Sequence, residues 1–429
     1  MQALISVHTM FKLKYLIVVS LLWLCCKSTS EFTGFSYDPP GVTNTTDKII
    51  EPQKRRVIGA GQPKVWISNE FESARFNDFY QLDDKKFEVL IKPENAPINN
   101  SPWYSFRVWS DSVQSIELTL KYDSARHRYK PKIWYRDSIS VVKQVIEQTE
   151  YDSASGSVSF ELKTGPEPQH ISAHFPDHIL FSDLQNRLSD LPQSFIEVDT
   201  AGWSVQNRPV YQVTVDETSV QRKGVLILIS RQHPPETSGY RVYQSFFDEI
   251  ISESQLAHSF RQHFVVEAFP ILNPDGVVNG HWRHNAAGID LNRDWKNFNQ
   301  PETKAVKNAL TPLTENDQST VYYGIDFHST NENIFYPINE EVVTFPDNFT
   351  QRWTQVVDEE NPEYNFRTEE FDTSSPISKN WIYNTFGADA ITFEVHDELT
   401  LEESAKLGKS AARSLMKMLI EEWNHSGKK

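Results

Sequence analysis

Cysteine is all but missing. The only two, Cys25 and Cys26, are adjacent in one N-terminal segment, so the rest of the chain can offer neither disulfides nor thiolate metal ligands. Any metal chemistry must rest on His, Asp and Glu. Basic residues are also short: 42 Lys and Arg face 58 Asp and Glu, for a net charge of -16 and a pI near 5.3. That balance excludes a general nucleic-acid or anionic-membrane binder, because phosphate contacts need clustered cations. An anionic ligand would have to meet a local positive pocket. No internal repeat is present, and the apolar run Tyr15 to Cys26 is too short to span a bilayer, so no stable membrane insertion is expected.

That run reads instead as the core of a secretory signal over residues 1–30. Lys12 and Lys14 precede it, and Ser28-Thr29-Ser30 offers a small-residue cleavage site before Glu31. Translation from Met10 in place of Met1 would give the signal a more usual length. A secreted or periplasmic protein is therefore expected. Lipid attachment at Cys25 or Cys26 fits poorly, since Leu24 or Cys25 stands where such sites want a small residue.

What remains is the composition of a packed globule, with 38% hydrophobic, 12% aromatic and 23% charged residues, and 429 residues exceed what one core usually organises. Two domains are expected. Residues 31–56, polar and carrying Pro39-Pro40, read as a linker in which Lys54-Arg55-Arg56 is a solvated charge run. Gly59-Ala60-Gly61 reads as a turn. Over residues 57–182, short segments such as Phe87 to Ile91, Trp103 to Trp109, Ile116 to Leu120 and Val158 to Leu162 alternate apolar and polar, which predicts an antiparallel β-sandwich. Its histidines His170, His174 and His178 read as ordinary surface residues, because they lack a ligand set. Over residues 183–429 the pattern changes to an α/β domain. Val225 to Ile229 is an unbroken apolar run, Val242, Phe246 and Ile250 recur at helical spacing, and Phe264 to Leu272, Val321 to Phe327 and Ala390 to Val395 read as further strands. Leu401 to Trp423 reads as a closing helix with Thr400 and Glu403 as a capping box.

A His and a Glu three apart, His233 and Glu236, mean little alone, but they follow the strand that ends at Ser230. His328 ends a second strand and Glu394 lies near the end of a third. Ligands gather at the carboxyl ends of strands in such sheets. Two His and a carboxylate form the ligand set of a catalytic zinc with one open position, and a further Glu is the base that its water needs. His258, His263 and His396 read as hydrogen-bonded core residues.

The stretch Asn273-Pro274-Asp275-Gly276, then Arg283, then Asp290-Leu291-Asn292-Arg293-Asp294-Trp295 strongly resembles the central block of the zinc carboxypeptidase family. Asp326-Phe327-His328-Ser329 and Thr392-Phe393-Glu394-Val395 follow in that family's order, and the resemblance covers about residues 195 to 425. Trp103 to Val108, Ala173 to Pro176 and Asp183 to Gln185 look like the N-terminal β-sandwich of its cytosolic carboxypeptidase branch. The resemblance implies a mixed central sheet flanked by helices and one zinc per chain, held by His233, Glu236 and His328. It implies Glu394 as general base and proton shuttle, Arg283 on the scissile carbonyl, and Asn292 and Arg293 on the substrate carboxylate. In its register Lys379 lies at the floor of the pocket for the leaving side chain, which implies a preference for acidic residues. Two positions depart from the digestive members: Pro235 replaces an Arg between the ligands, and Asp372 stands where they carry a Tyr.

The expected activity is peptide hydrolysis by a zinc carboxypeptidase acting on substrates with a free carboxylate. A zinc amidase or endopeptidase acting on cell-wall stem peptides would use the same residues, and an inactive peptide-binding module would use the same fold.

Overall fold

In the first half of the chain one face of each sheet is turned to a core, so buried and exposed residues alternate along the strands. The structure, a computed structural model, describes residues 43–123, 125–136, 141–191, 194–315, 318–339, 341–370 and 373–426. The run Tyr15 to Cys26, the cleavage site before Glu31, the cysteine pair and Asp372 lie outside the described residues. The first eleven strands are β1 (Val57–Ala60), β2 (Val65–Ser68), β3 (Asp78–Asp83), β4 (Lys86–Ile91), β5 (Ser105–Ser110), β6 (Gln114–Tyr122), β7 (Lys132–Arg136), β8 (Val141–Val145), β9 (Glu150–Asp152), β10 (Ser157–Thr164) and β11 (Gln169–Ser172). They form two sheets, ordered β1-β2-β5-β11-β7-β8 and β3-β4-β6-β10-β9. Pairing is antiparallel except between β4 and β6. These two run parallel because the chain between them crosses to the other sheet and forms β5 before returning. Ile67, Phe106 and Val108 from one sheet and Phe87, Leu118 and Phe160 from the other share one core.

The second half contributes β12 (Ile196–Trp203), β13 (Pro209–Val215), β14 (Lys223–Ser230), β15 (Phe264–Phe269), β16 (Ser319–Thr330), β17 (Ile334–Pro337), β18 (Arg367–Thr368) and β19 (Asp389–His396). Its helices are α1 (Phe181–Ser189), α2 (Thr237–Ile250), α3 (Gln255–Arg261), α4 (Pro274–Asn279), α5 (Pro301–Leu310), α6 (Phe349–Glu360), α7 (Ser378–Phe386) and α8 (Leu401–Ser426). The sheet has the order β12-β13-β15-β14-β16-β19-β17-β18 and is mixed, with β14, β15, β16 and β19 parallel at its centre. The unbroken apolar run in β14 now has its reason. Leu226 and Leu228 enter the core shared with α2, α3, α6 and α8, whereas Val225, Ile227 and Ile229 enter a second core shared with α5 and α7. The capping box of α8 is present, the Glu403 N–H donating to Thr400 Oγ1 at 3.1 Å and the Thr400 N–H to Glu403 Oε2 at 2.8 Å.

The described residues fall within a single compact unit, and its contacts correct several sequence expectations. Arg55 is exposed but is more than a solvated charge. It donates to the carbonyls of Asn69 and Phe71, both at 2.6 Å, and of Val278 at 3.0 Å, so one guanidinium ties the sandwich to α4. Of the three histidines read as surface residues only His178 is exposed. His174 is buried against Trp103 and Tyr129, and His170 stacks on Trp134. Aromatic packing consumes them because their strand and loop face inward. His258, His263 and His396 each make a hydrogen bond or ion pair as expected, but none is a core residue: His258 is exposed beside Glu217, and His263 and His396 are half-buried.

Candidate metal centre

β14 ends at Ser230, and the chain then turns sharply through Arg231, whose φ of 55° is left-handed although it carries a side chain. Arg231 is held there by donating to the carbonyls of Pro234 at 2.9 Å and Ile179 at 3.1 Å. The turn delivers His233 and then Glu236, the residue that caps α2. His328 stands near the end of the neighbouring β16, on the face opposite Phe327. Close approach of α2 to β16 requires Gly239: a Cβ there would lie 2.3 Å from the carbonyl oxygen of His328.

His233, Glu236 and His328 come together with their ligand atoms within 4.8 Å of one another. Glu236 lies between the imidazoles, Oε1 being 2.6 Å from His233 Nδ1 and Oε2 2.7 Å from His328 Nδ1. The outer nitrogens are also engaged. His233 Nε2 is 2.9 Å from Asp290 Oδ1, and His328 Nε2 is 2.8 Å from Asp326 Oδ2. With a metal bound, a carboxylate on each Nε2 would keep the proton there and free the Nδ1 lone pairs to face inward, the arrangement that ligating histidines adopt. Two inward imidazole nitrogens and one carboxylate, all drawn from the buried ends of packed elements, suit zinc with a position left for water. Glu236 is held well below the ordinary carboxylate range. Burial opposes this, but His233 and His328 outweigh it.

Glu394 pairs in register with His328 across β16 and β19. It is partly buried, and its Oε2 is withdrawn from solvent without a hydrogen-bond partner. Burial, and next the charge of Glu236, push its carboxyl up to about 7. From the sandwich, Arg128 pairs with Asp397, three residues beyond Glu394, and Asp397 accepts from Ser329 Oγ at 2.9 Å. Burial still pushes Asp397 up to about 6 against the pull of Arg128.

Arg283 is buried and its Nε donates to Asp290 Oδ2 at 2.7 Å, so Asp290 touches both Arg283 and His233. Arg283, His233 and Arg293 hold Asp290 well below its ordinary range although burial pulls the other way. Asn292 and Arg293 lie on a short 3-10 turn after Asp290, with the Asn292 side chain 3.5 Å from His328 Nε2. Lys379, in the first turn of α7, is fully buried and donates to the carbonyls of Tyr336, at 3.1 Å, and Pro337. The preceding Ser378 N–H donates to Asn292 Oδ1 at 3.0 Å, so α7 abuts the Asn292 segment.

Three supporting residues carry no role in the sequence reading. Asp326 was legible in principle, because residues two apart on a strand share a face and His328 lies two further on. Gln232, whose Nε2 donates to Asp326 Oδ2 at 2.6 Å and whose Oε1 accepts from Trp295 at 2.9 Å, had no signal. Asp290 sits 57 positions from His233, and spacing could not reveal their contact.

The profile of the zinc carboxypeptidase family matches residues 182–406, and the chain belongs to that family. Human cytosolic carboxypeptidase 2 is 32% identical over 327 residues, covering 67% of this chain and 35% of that protein. Mouse cytosolic carboxypeptidase 6 is 23% identical over 298 residues, covering 63% and 54%. The chain thus spans between a third and about half the length of these two relatives. Among solved structures, a metallo-carboxypeptidase from Burkholderia cenocepacia superimposes with a TM-score of 0.65 at 17% identity, covering 83% of this chain and 99% of that one. One from Pseudomonas aeruginosa, in complex with (2-guanidinoethylmercapto)succinic acid, gives 0.63 at 17%, covering 83% and 99%. These likenesses carry the fold, sandwich included. The expected class, a zinc metallocarboxypeptidase with zinc as its cofactor, stands. The expected secreted or periplasmic location does not: the relatives are named cytosolic carboxypeptidases, which contradicts export. A basic pair, an apolar run and small residues can occur together without directing secretion. Among the described residues, no helix is long and apolar enough to cross a membrane.

Proposed function

We propose that the protein is an intracellular carboxypeptidase that releases single residues from peptides with a free C-terminal carboxylate, with a preference for acidic leaving residues. The observation that carries the reading is the inward-facing triad His233, Glu236 and His328 beside an unpartnered, elevated Glu394. His233, Glu236 and His328 would hold the zinc, which when bound would supply a Lewis acid and bring the pKa of a water down to about 7. Glu394, which is raised toward the same range, takes the proton of the attacking water and passes it to the leaving amine. Arg283 donates to the carbonyl oxygen as it gains charge, held in aim by Asp290. Asn292 and Arg293 bind the substrate carboxylate, for which a planar guanidinium is suited. Lys379, buried in the helix that abuts Asn292, adds positive potential for an acidic side chain.

An inactive binding module would have no need of a carboxylate kept elevated and unpartnered beside a complete ligand set. The test is a panel of peptides ending in Glu, Leu and Lys, each with a free and an amidated C terminus. Release confined to the free forms and fastest for Glu is the expected result. Equal cleavage of amidated forms would overturn the exopeptidase assignment.

A further inference from the structure

The segment from His281 to Asp290 carries Arg283 but forms neither helix nor strand, so its buried backbone N–H groups need partners from elsewhere. Three consecutive ones find the same partner. The N–H groups of Trp282, Arg283 and His284 donate to the carboxylate of Glu94 at 2.8, 3.0 and 2.7 Å. Glu94 lies in the sandwich, three residues beyond β4, and is 1% exposed. Successive N–H groups converging on one anion form a strong, directional cradle. Burial opposes ionisation of Glu94, but His281, His284, Arg75 and the Trp282 N–H hold its carboxyl down at about 2. The neighbouring Asn95 extends the grip by donating to the Gly288 carbonyl at 3.0 Å. Trp282 itself is fully buried in the sandwich core, its indole N–H donating to the Trp103 carbonyl at 3.1 Å.

We propose that Glu94 is a positioning residue for catalysis, through which the sandwich sets the backbone of the Arg283 loop and so the aim of the Arg283 guanidinium. The inference rests on the reading of Arg283 as the group that meets the reacting carbonyl. The chain of contacts is continuous: Glu94 fixes the Arg283 backbone, Asp290 fixes the Arg283 Nε, and the same Asp290 holds His233. A misdirected donor costs rate in proportion to what it contributes in the transition state. The sandwich is then part of the active site by way of one carboxylate, although it supplies no metal ligand.

The experiment is a double-mutant cycle in the zinc-loaded full chain, read on a blocked peptide ending in two glutamates. Glu94→Gln keeps the size of the side chain but presents an NH2 to N–H donors. It is expected to lower kcat tenfold or more, with KM changed less than threefold and zinc content unchanged. In an Arg283→Ala background the same substitution should have no further effect, since there is no guanidinium left to aim. Hydrogen exchange supplies a readout independent of turnover, in which amides 282–284 exchange faster in Glu94→Gln while those of β16 do not. A loss of equal size in both backgrounds would make Glu94 merely structural and overturn the proposal, as would full activity of Glu94→Gln. A fully active Arg283→Ala would instead overturn the reading of Arg283, and the positioning role would fall with it. If Glu94→Gln does not fold, Glu94→Asp, which keeps the charge but retracts it, goes through the same cycle under the same criteria.

Discussion

Replacing Gly239 by alanine should weaken zinc binding more than it weakens the fold. The added Cβ would lie 2.3 Å from the His328 carbonyl oxygen and 2.5 Å from its carbon, both backbone atoms that cannot rotate away. Ordinary contact needs about 1 Å more, so the first turn of α2 must move from β16 by roughly that distance. Glu236 immediately precedes this turn, and its Oε2 is 2.7 Å from His328 Nδ1. Ligand positions tolerate only about 0.2 Å. A displacement several times larger should lower zinc affinity by roughly 10- to 100-fold, on the order of 1.4 to 2.7 kcal/mol. The fold itself should lose about 1 to 3 kcal/mol from overpacking, offset in part by about 1 kcal/mol from the better helix former. Gly408→Ala is the matched control. Its Cβ would lie 2.5 Å from the Val242 carbonyl oxygen, a similar clash on α2 at its contact with α8. Competition with a chelator measures affinity, and urea unfolding measures stability. The reasoning is refuted if Gly239→Ala binds zinc as the wild type does, or if both variants lose affinity equally.

Other outcomes test separate parts of the site. Glu394→Gln should keep its zinc and lose about 10²- to 10⁴-fold in kcat, because an amide cannot accept the proton. Metal analysis with peptide release checks both halves of that statement. Lys379→Ala should narrow the kcat/KM advantage of peptides ending in Glu over those ending in Leu, and an unchanged ratio would remove Lys379 from the specificity pocket. Glu302 is buried and accepts from Asn285 at 3.0 Å; burial, reinforced by Asp275, pushes its carboxyl up to about 7. Between an unfolded pKa of about 4.5 and about 7 the folded state binds the extra proton, so this group's contribution falls as pH rises through that window. Glu302→Gln should therefore gain on the wild type by up to about 3 kcal/mol between pH 4.5 and 7.5, measured by urea unfolding at several pH values. A difference that does not grow with pH would place the proton elsewhere.

Local physics explains what was legible before any coordinates. Period-two alternation names the sandwich strands because each sheet has one face to bury, and the run Val225 to Ile229 names a strand covered on both sides. The zinc ligands could be proposed because each follows or ends such a strand, and strand ends meet at one edge of a sheet. Residues whose roles arise from distant pairing were hidden. Arg55 had the composition of a solvated charge, yet four backbone carbonyls, one of them in α4, claim it. Asp290 gains its role only when the Arg283 loop folds back on His233. Glu94 stands 189 positions before Arg283, and its purpose exists only where the sandwich meets that loop. Sequence by itself determined the most strongly patterned strands and helices and the chemical types able to hold a metal, because these follow from local periodicity and side-chain chemistry, whereas weaker patterns were missed and Gly59-Ala60, read as a turn, lies in β1. Tertiary structure alone decided which carboxylate meets which imidazole, guanidinium or backbone N–H, because those contacts depend on how separate elements are brought together and not on any spacing along the chain.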